Sequence, residues 1–340
     1  MKYRAKDIAK ELKVSPATVS LVLNRKPGVG NTLRQKILKK IEDMECEHLI
    51  KEDLSGKGNI GLIIYKCNGA IIDEFPFFGL LLENINRTIR KYNYQMNMIY
   101  MDKVMTIEEQ VHIMENTGCQ GYIVYAVEMY AEDLKVFQTL NEPCVFLDNS
   151  FRMNEVDAVT IDNSLGVYQA IKYLYQKGHR SIGYIKSKVM ISSFDERFEA
   201  FQKSLDMYGL KLKEEHVMKV GYLESETEQD VNNYLKRTKN LPTAYFADND
   251  LLACRAVHGM KEMGYKIPED ISVVGFDNRP ICSFTEPTVT TIGIPRDDMG
   301  YTAVEMLMSK IKGHRQLGLK SLVGTSLIER ESVSERKEER

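Results

Sequence analysis

Val14-Ser15-Pro16-Ala17-Thr18-Val19-Ser20-Leu21-Val22-Leu23-Asn24 is the stretch on which the rest of the chain depends. Ser15 is a good N-cap, and Pro16 falls at the first helical position, where its missing N–H costs nothing. Val19, Val22 and Leu23 repeat at helical spacing and predict an inward face, which leaves Ala17, Thr18, Ser20 and Leu21 outside or on the flank. Small residues on the outer face let another backbone approach closely.

Upstream, Ile8, Ala9 and Leu12 line one side of a short helix beginning at Asp7, and Lys13 to Ser15 make a tight turn. Downstream, a third helix is predicted from Thr32 to Met44, with Leu33, Ile37, Ile41 and Met44 inward and Lys36, Lys39 and Lys40 off that stripe. Three short helices with a small, polar second one form a helix-turn-helix, whose second helix enters the major groove of DNA. Such triplets also occur as plain structure, and charge separates the two readings. Residues 1–45 hold 11 Lys and Arg against 5 Asp and Glu, a net of +6, while the rest of the chain holds 35 against 43. A basic head on an acidic body is the electrostatic footprint of a phosphate binder.

The chain has 340 residues, of which 43% are hydrophobic, enough for two or three domains with sizeable cores. No apolar run follows Met1, and none reaches the ~18 residues of a membrane helix, so a cytoplasmic protein is expected. Cys46, Cys67, Cys119, Cys144, Cys254 and Cys282 are scattered without ligand spacing, and neither a metal nor a cofactor is expected. Glu335 to Arg340 is a charge-dense tail, expected to be frayed.

Glu45 to Gly58 ends in small, flexible residues and marks a linker. Beyond it, strands and helices alternate. Strands are predicted at Ile60 to Tyr65, Gln95 to Tyr100, Gly121 to Tyr125, Cys144 to Leu147 and Ala158 to Ile161, with helices at Phe78 to Tyr92 and Thr106 to Asn116. A second cycle has helices at Ser164 to Lys177, Glu196 to Tyr208, Glu226 to Arg237 and Leu251 to Met263, and strands at Ser181 to Ile185, Ala244 to Ala247 and Ser272 to Phe276. This is α/β alternation in two doubly wound parallel-sheet units. Ligands of such sheets bind beyond the carboxyl ends of the strands, a rule that nominates Asp148 and Asp277. A sugar needs Asp, Asn or Arg for its hydroxyls and an aromatic platform for its C–H face, and both types are present.

The chain resembles the lactose/galactose repressor (LacI/GalR) family of bacterial transcription regulators. The residues that carry the likeness in the head are Lys6-Asp7-Ile8-Ala9, Val14-Ser15, Ala17-Thr18-Val19-Ser20 and Val22-Leu23-Asn24. Phe146-Leu147-Asp148, Ile161-Asp162-Asn163, Lys177-Gly178-His179-Arg180, Asn249-Asp250 and Ile267 to Asp277 carry it in the body. The resemblance implies a helix-turn-helix head at 1–45, a hinge at 46–58 and a periplasmic-binding-protein-like core at 59–330, with a charged tail at 331–340. It further implies three crossings, giving one subdomain of about 59–161 and 292–321 and another of about 162–290 and 322–333.

By the same resemblance, operator DNA meets Ser15, Pro16, Ala17, Thr18, Ser20, Leu21, Asn24, Arg25, Lys26 and Arg34, with Leu54 wedged into the minor groove. A small effector, a sugar or sugar phosphate, meets Arg197, Asp277, Asp148 and Asn249, with Phe77 or Phe78 as platform and Ser193, Phe194 and Tyr222 near by. A homodimer is expected, because one head reads too few base pairs, and the ten residues after Arg330 contain no heptad seam to join dimers.

The sequence departs from the family pattern in places. Glu45, Glu47, His48, Lys51 and Glu52 stand where the hinge usually has other residues, Leu21 replaces an Arg or His, Lys13 replaces the turn Gly, and Gly30 replaces a capping Ser. An α/β enzyme acting on carbohydrate and a transport-type sugar-binding protein are the alternatives. The first lacks a phosphate-binding or nucleophile motif after any strand, and the second has no use for a basic head.

Overall fold

The computed structural model describes residues 5–23, 29–44, 57–72, 79–313 and 317–336. It divides into two compact units, with the change near residue 58. The first contains α1 (Ala5–Glu11), α2 (Pro16–Leu23) and α3 (Asn31–Asp43). Ile8, Ala9, Val19, Val22, Leu23, Ile37 and Ile41 form its core, the set marked by the helical spacing of the sequence. Lys13 adopts φ 52°, the left-handed region that favours glycine. The residue that replaces the usual turn Gly thus sits where only the conformation of that Gly was kept.

In the second unit the strands and helices follow in the order β1 (Asn59–Lys66), α4 (Gly79–Lys91), β2 (Gln95–Asp102), α5 (Ile107–Glu115), β3 (Cys119–Tyr125), β4 (Cys144–Leu147) and β5 (Asp157–Ile161). The chain then continues through α6 (Asn163–Gln176), β6 (Ile182–Ser187), α7 (Ser192–Met207), β7 (Val217–Val220), α8 (Glu224–Arg237), β8 (Ala244–Ala247), α9 (Asp250–Glu262) and β9 (Ser272–Asp277). It closes with β10 (Thr290–Gly293), α10 (Arg296–Ile311), β11 (Lys320–Val323) and β12 (Ser326–Ile328). One sheet has the order β11-β5-β4-β3-β1-β2 and the other β12-β10-β9-β8-β6-β7. The central strand β8 is apolar and buried throughout, and β1 and β3 are buried apart from Asn59, Lys66 and Gln120, as parallel strands covered by helices must be.

Several expectations need correction. The second crossing follows Gly293 rather than 291, because β10 runs beside β9 to its end, and the third falls between Val323 and Ser326. β12 pairs antiparallel with β10, so the second sheet is mixed. α7 begins at Ser192, not Glu196, and α10 was not anticipated. In α10, Met299, Gly300, Ala303, Val304, Met306, Leu307 and Met308 are buried, a face too broad and too rich in small residues and Met to stand out as a stripe. The start of the charged tail is not frayed. Ser332 is fully buried, its Oγ donates to Val273 O at 2.6 Å, and Arg336 Nη2 donates to Asp270 O at 2.5 Å. Backbone partners hold this segment in spite of its charge.

Candidate functional site

In the head, Ser15 Oγ accepts the Thr18 amide at 3.0 Å and lies 2.8 Å from Thr18 Oγ1, which fixes the start of α2. Ser15, Pro16, Ala17 and Ser20 are exposed, while Thr18, Leu21 and Arg34 are partly so. Lys36 and Lys39 are exposed, whereas Lys40 is tied to Glu11 Oε2 at 3.1 Å. Asn24, Arg25, Lys26 and Leu54, together with the acidic hinge positions, lie outside the described residues.

In the core, the carboxyl ends of the strands carry the polar groups. Asp148 directly follows β4 with φ 68°, and Asp277 ends β9 with φ 110°, followed by Asn278 at φ 50°. Non-glycine residues held in this region are strained, and such strain collects where a side chain must be aimed. Arg197, on the first turns of α7, is 3% exposed. Its Nη2 meets Asp277 Oδ1 at 3.1 Å, its Nη1 donates to Asp248 O at 2.5 Å, and its Nε donates to Asn163 Oδ1 at 2.9 Å. The guanidinium lies over the Phe276 ring at 3.7 Å, with Phe194 at 5.7 Å. Each of its three nitrogens thus has a partner within the protein, which fixes the orientation of the buried cation while leaving further N–H donors on Nη1 and Nη2.

Burial pushes the Asp148 carboxyl up to about 7, against the pull of Arg197 and with the repulsion of Asp277 and Glu196 added. Asp248 is likewise raised to about 7 by burial, although Tyr184 Oη and the Ser187 amide at 2.6 Å both donate to it. Asp250 is raised to about 7 by burial and by Asp277, offset by the Thr291 hydroxyl at 2.5 Å and the Arg279 amide at 2.6 Å. A Cβ at Gly275 would overlap Asp250 Oδ1, so only glycine leaves room for that carboxylate.

Asn249 caps α9 through the Leu252 amide at 3.1 Å and donates to Tyr222 Oη at 2.9 Å, so both ends of its amide are engaged within the protein. Ser193 and Phe194 are buried in the first turn of α7. Arg197, Asp277, Asp148 and Phe194 are thus brought together, and Tyr222 and Asn249 form an adjoining pair. Phe77 and Phe78 lie outside the described residues.

Sequence reading missed Tyr125, Arg279 and Arg296. Tyr125 ends β3, and burial first, then the charges of Asp148 and Asp277, pushes its phenol well above the usual range, while Arg279 opposes them. The carboxyl-end rule that found Asp148 applies equally to this tyrosine. Arg279 Nε lies 3.8 Å from Asp277 Oδ2, and Arg296 Nη2 donates to Asp277 O at 2.7 Å. Glu128 was also missed. It is 2% exposed, and its Oε2 accepts the amides of Cys67, Asn68 and Gly69 at 3.0, 3.0 and 2.9 Å, while Oε1 accepts those of Ile71 and Ile72 at 2.9 and 3.1 Å. Burial alone would raise this carboxyl, yet the amides hold it below its ordinary value. One carboxylate thereby shapes the loop that leaves β1.

Residues of both subdomains, among them Met129, Tyr130, Phe151, Met190 and Glu196, line a pocket of about 330 Å³ in the cleft between them; Asp148, Arg197 and Asp277 are not part of that lining. Among the described residues no cluster of three or more His, Cys, Asp or Glu is placed to hold a metal, and no helix is long and apolar enough to cross a membrane.

Residues 5–45 match the lacI family of bacterial regulatory proteins, and residues 171–333 match the periplasmic binding protein-like domain. The HTH-type transcriptional repressor PurR of Pasteurella multocida is 27% identical over 336 residues, covering 97% of this chain and 98% of that protein. Among solved structures, a complex of the transcriptional regulator CelR with cellobiose has a TM-score of 0.73 at 20% identity, covering 97% of this chain and 99% of that one. The lac repressor dimer bound to operator and the anti-inducer ONPF has a TM-score of 0.70 at 21% identity, covering 98% and 100%. These two structures share the fold.

Proposed function

The chain belongs to the lacI family of bacterial regulatory proteins and is a regulator rather than an enzyme, and on that premise we propose that it represses transcription from a pseudopalindromic operator under the control of a sugar or sugar phosphate. The observation that carries this reading is the buried pair of Arg197 and Asp277 on the cleft floor, flanked by Asp148. A guanidinium and two carboxylates gathered at the carboxyl ends of the strands offer donors and acceptors to vicinal hydroxyls, and Arg197 and Arg279 suit a phosphate. The cellobiose held by CelR, a protein of the same fold, supports a carbohydrate.

The core acts as a homodimer that places two heads on the two halves of an operator, and the operator-bound dimer of the lac repressor supports that arrangement. An effector that binds one orientation of the subdomains more tightly shifts the population toward it, and the heads follow. The test is selection of DNA from a random pool by the full chain, followed by binding of the selected site with and without a panel of sugars and sugar phosphates. A palindromic site, released or gripped more tightly by one member of the panel, is expected. A chain lacking residues 1–57 that selects the same site, or a sedimenting species of one chain mass on that site, overturns the reading.

A further inference from the structure

An unbroken line of side chains runs from the floor of the cleft to its rim. Asp277 Oδ1 meets Arg197 Nη2 at 3.1 Å, Arg197 Nε donates to Asn163 Oδ1 at 2.9 Å, and Asn163 Nδ2 donates to Glu196 Oε2 at 2.8 Å. The other oxygen of Glu196 accepts Arg152 Nε at 3.3 Å, and Arg152 Nη1 reaches Glu199 Oε2 at 3.0 Å. Arg152 follows β4 in the first subdomain, whereas Glu196 and Glu199 lie on α7 in the second. The line therefore ends by bridging the two halves of the core.

Its polarity is fixed by chemistry. A guanidinium only donates and a carboxylate only accepts, so the amide between them has one orientation that satisfies both. Asn163 is also the first residue of α6, reached directly after the chain crosses between the subdomains at Ile161. One member of the line thus sits on the hinge itself. Burial decides where the line gives way. Arg197, Asp277 and Asn163 are buried, and buried polar atoms resist going unpaired. Arg152 and Glu199 are 51% and 50% exposed, so their pair is readily given up to water.

We propose that Asn163 and Glu196 are positioning residues that couple the setting of the Arg197 guanidinium to the closing of Arg152 onto α7. A group that competes for Arg197 or Asp277 pulls on Asn163, Asn163 re-aims Glu196, and the outer pair forms or breaks. Occupancy of the floor is thereby written into the angle between subdomains. The significance for regulation rests on Arg197 and Asp277 being effector contacts, while the coupling itself lies in the protein's own side chains.

Amide hydrogen exchange on the full-length chain without ligand tests it. Arg152→Gln is expected to speed exchange at least threefold across residues 276–281, where the Arg279 amide is bonded to Asp250 on the cleft floor. Glu196→Gln, which keeps the shape and the bond to Asn163 but removes the charge facing Arg152, is expected to do the same. In an Asn163→Ala background, Arg152→Gln adds nothing at 276–281. Raising the salt concentration accelerates these amides in the unaltered protein and not in Arg152→Gln, since a half-exposed pair is screened. Unchanged exchange at 276–281 in Arg152→Gln, or effects of the two substitutions that multiply as for independent sites, overturns the coupling. If Asn163→Ala does not fold, Asn163→Asp, which still accepts Arg197 Nε but cannot donate to Glu196, takes its place in the cycle. Calorimetry of Arg197→Ala against the sugar panel separates the two readings: loss of binding beside unchanged exchange removes only the coupling, and retained binding removes only the effector assignment.

Discussion

The reading face of α2 and the floor of the cleft solve opposite problems. On α2 and its cap the candidate contacts Ser15, Pro16, Ala17 and Ser20 are exposed and come from six consecutive residues, so apart from the capping Ser15 each one can change without disturbing the core beneath. On the cleft floor Asp148, Arg197 and Asp277 come from three distant segments and lie among other buried charges. Function on the helix is separable from stability. In the cleft the same atoms serve both.

The largest effect that tests this contrast is expected from Arg197→Ala. Removing one partner of a buried pair leaves Asp277 only the more distant Arg279 Nε, 3.8 Å away, and costs about 3–5 kcal/mol. Ala17→Ser, on the exposed face of α2, should stay within about 0.5 kcal/mol. Urea unfolding of both variants measures the gap, and similar costs for the two would erase the distinction drawn here.

On the helix, the effect should appear in recognition instead. Substituting Ala17 or Leu21 is expected to change discrimination at individual base pairs by about 1–3 kcal/mol, whereas Lys39→Gln weakens all sequences alike. Leu21 offers only apolar contact, for example with a thymine methyl. Selection from random DNA that returns the same preferences for both α2 variants would take this helix out of the groove.

A third measurement probes how the cleft carries its charges. The Asp148 carboxyl is raised from 3.8 to about 7 in the folded chain, so between those values the folded state binds more protons than the unfolded. That contribution to stability is full below about 4 and falls as pH rises toward 7. Asp148→Asn removes the dependence. Its thermal midpoint relative to the unaltered chain is therefore expected to climb from pH 4 to pH 7 and then level off, and a constant difference across that range would show an Asp148 that titrates normally. His179 runs the other way. Burial lowers it to about 4, so the unaltered chain loses stability as pH falls from 6.5, and the two effects must be separated by the variant comparison.

A modest gain in stability is expected in the turn before α2. Lys13 at φ 52° bears a Cβ in a region that disfavours one, so Lys13→Gly should stabilise the head by about 1 kcal/mol. A loss of stability on that substitution would mean that the lysine side chain compensates for its backbone.

The head was legible in the sequence because its fold is local. Caps, helical spacing and a run of cations over 45 residues are facts of neighbouring positions, and Ile8, Val19, Val22, Ile37 and Ile41 meet as that spacing requires. Strand alternation and the carboxyl-end rule likewise gave the doubly wound core and picked Asp148 and Asp277, since a strand end is marked in the chain. Tertiary structure decided the rest. α10 hides in the sequence because its buried face is broad and built of small residues and Met, which blurs the stripe by which a helix is recognised. Glu128 cannot be read as the anchor of residues 67–72, because backbone amides are the same in every sequence and only folding converges five of them on one carboxylate. Asn163, Glu196 and Arg152 are ordinary polar residues until the crossing after Ile161 sets them in line. Short-range pattern is written along the chain, whereas a buried charge finds its partner only when distant strands end at the same place.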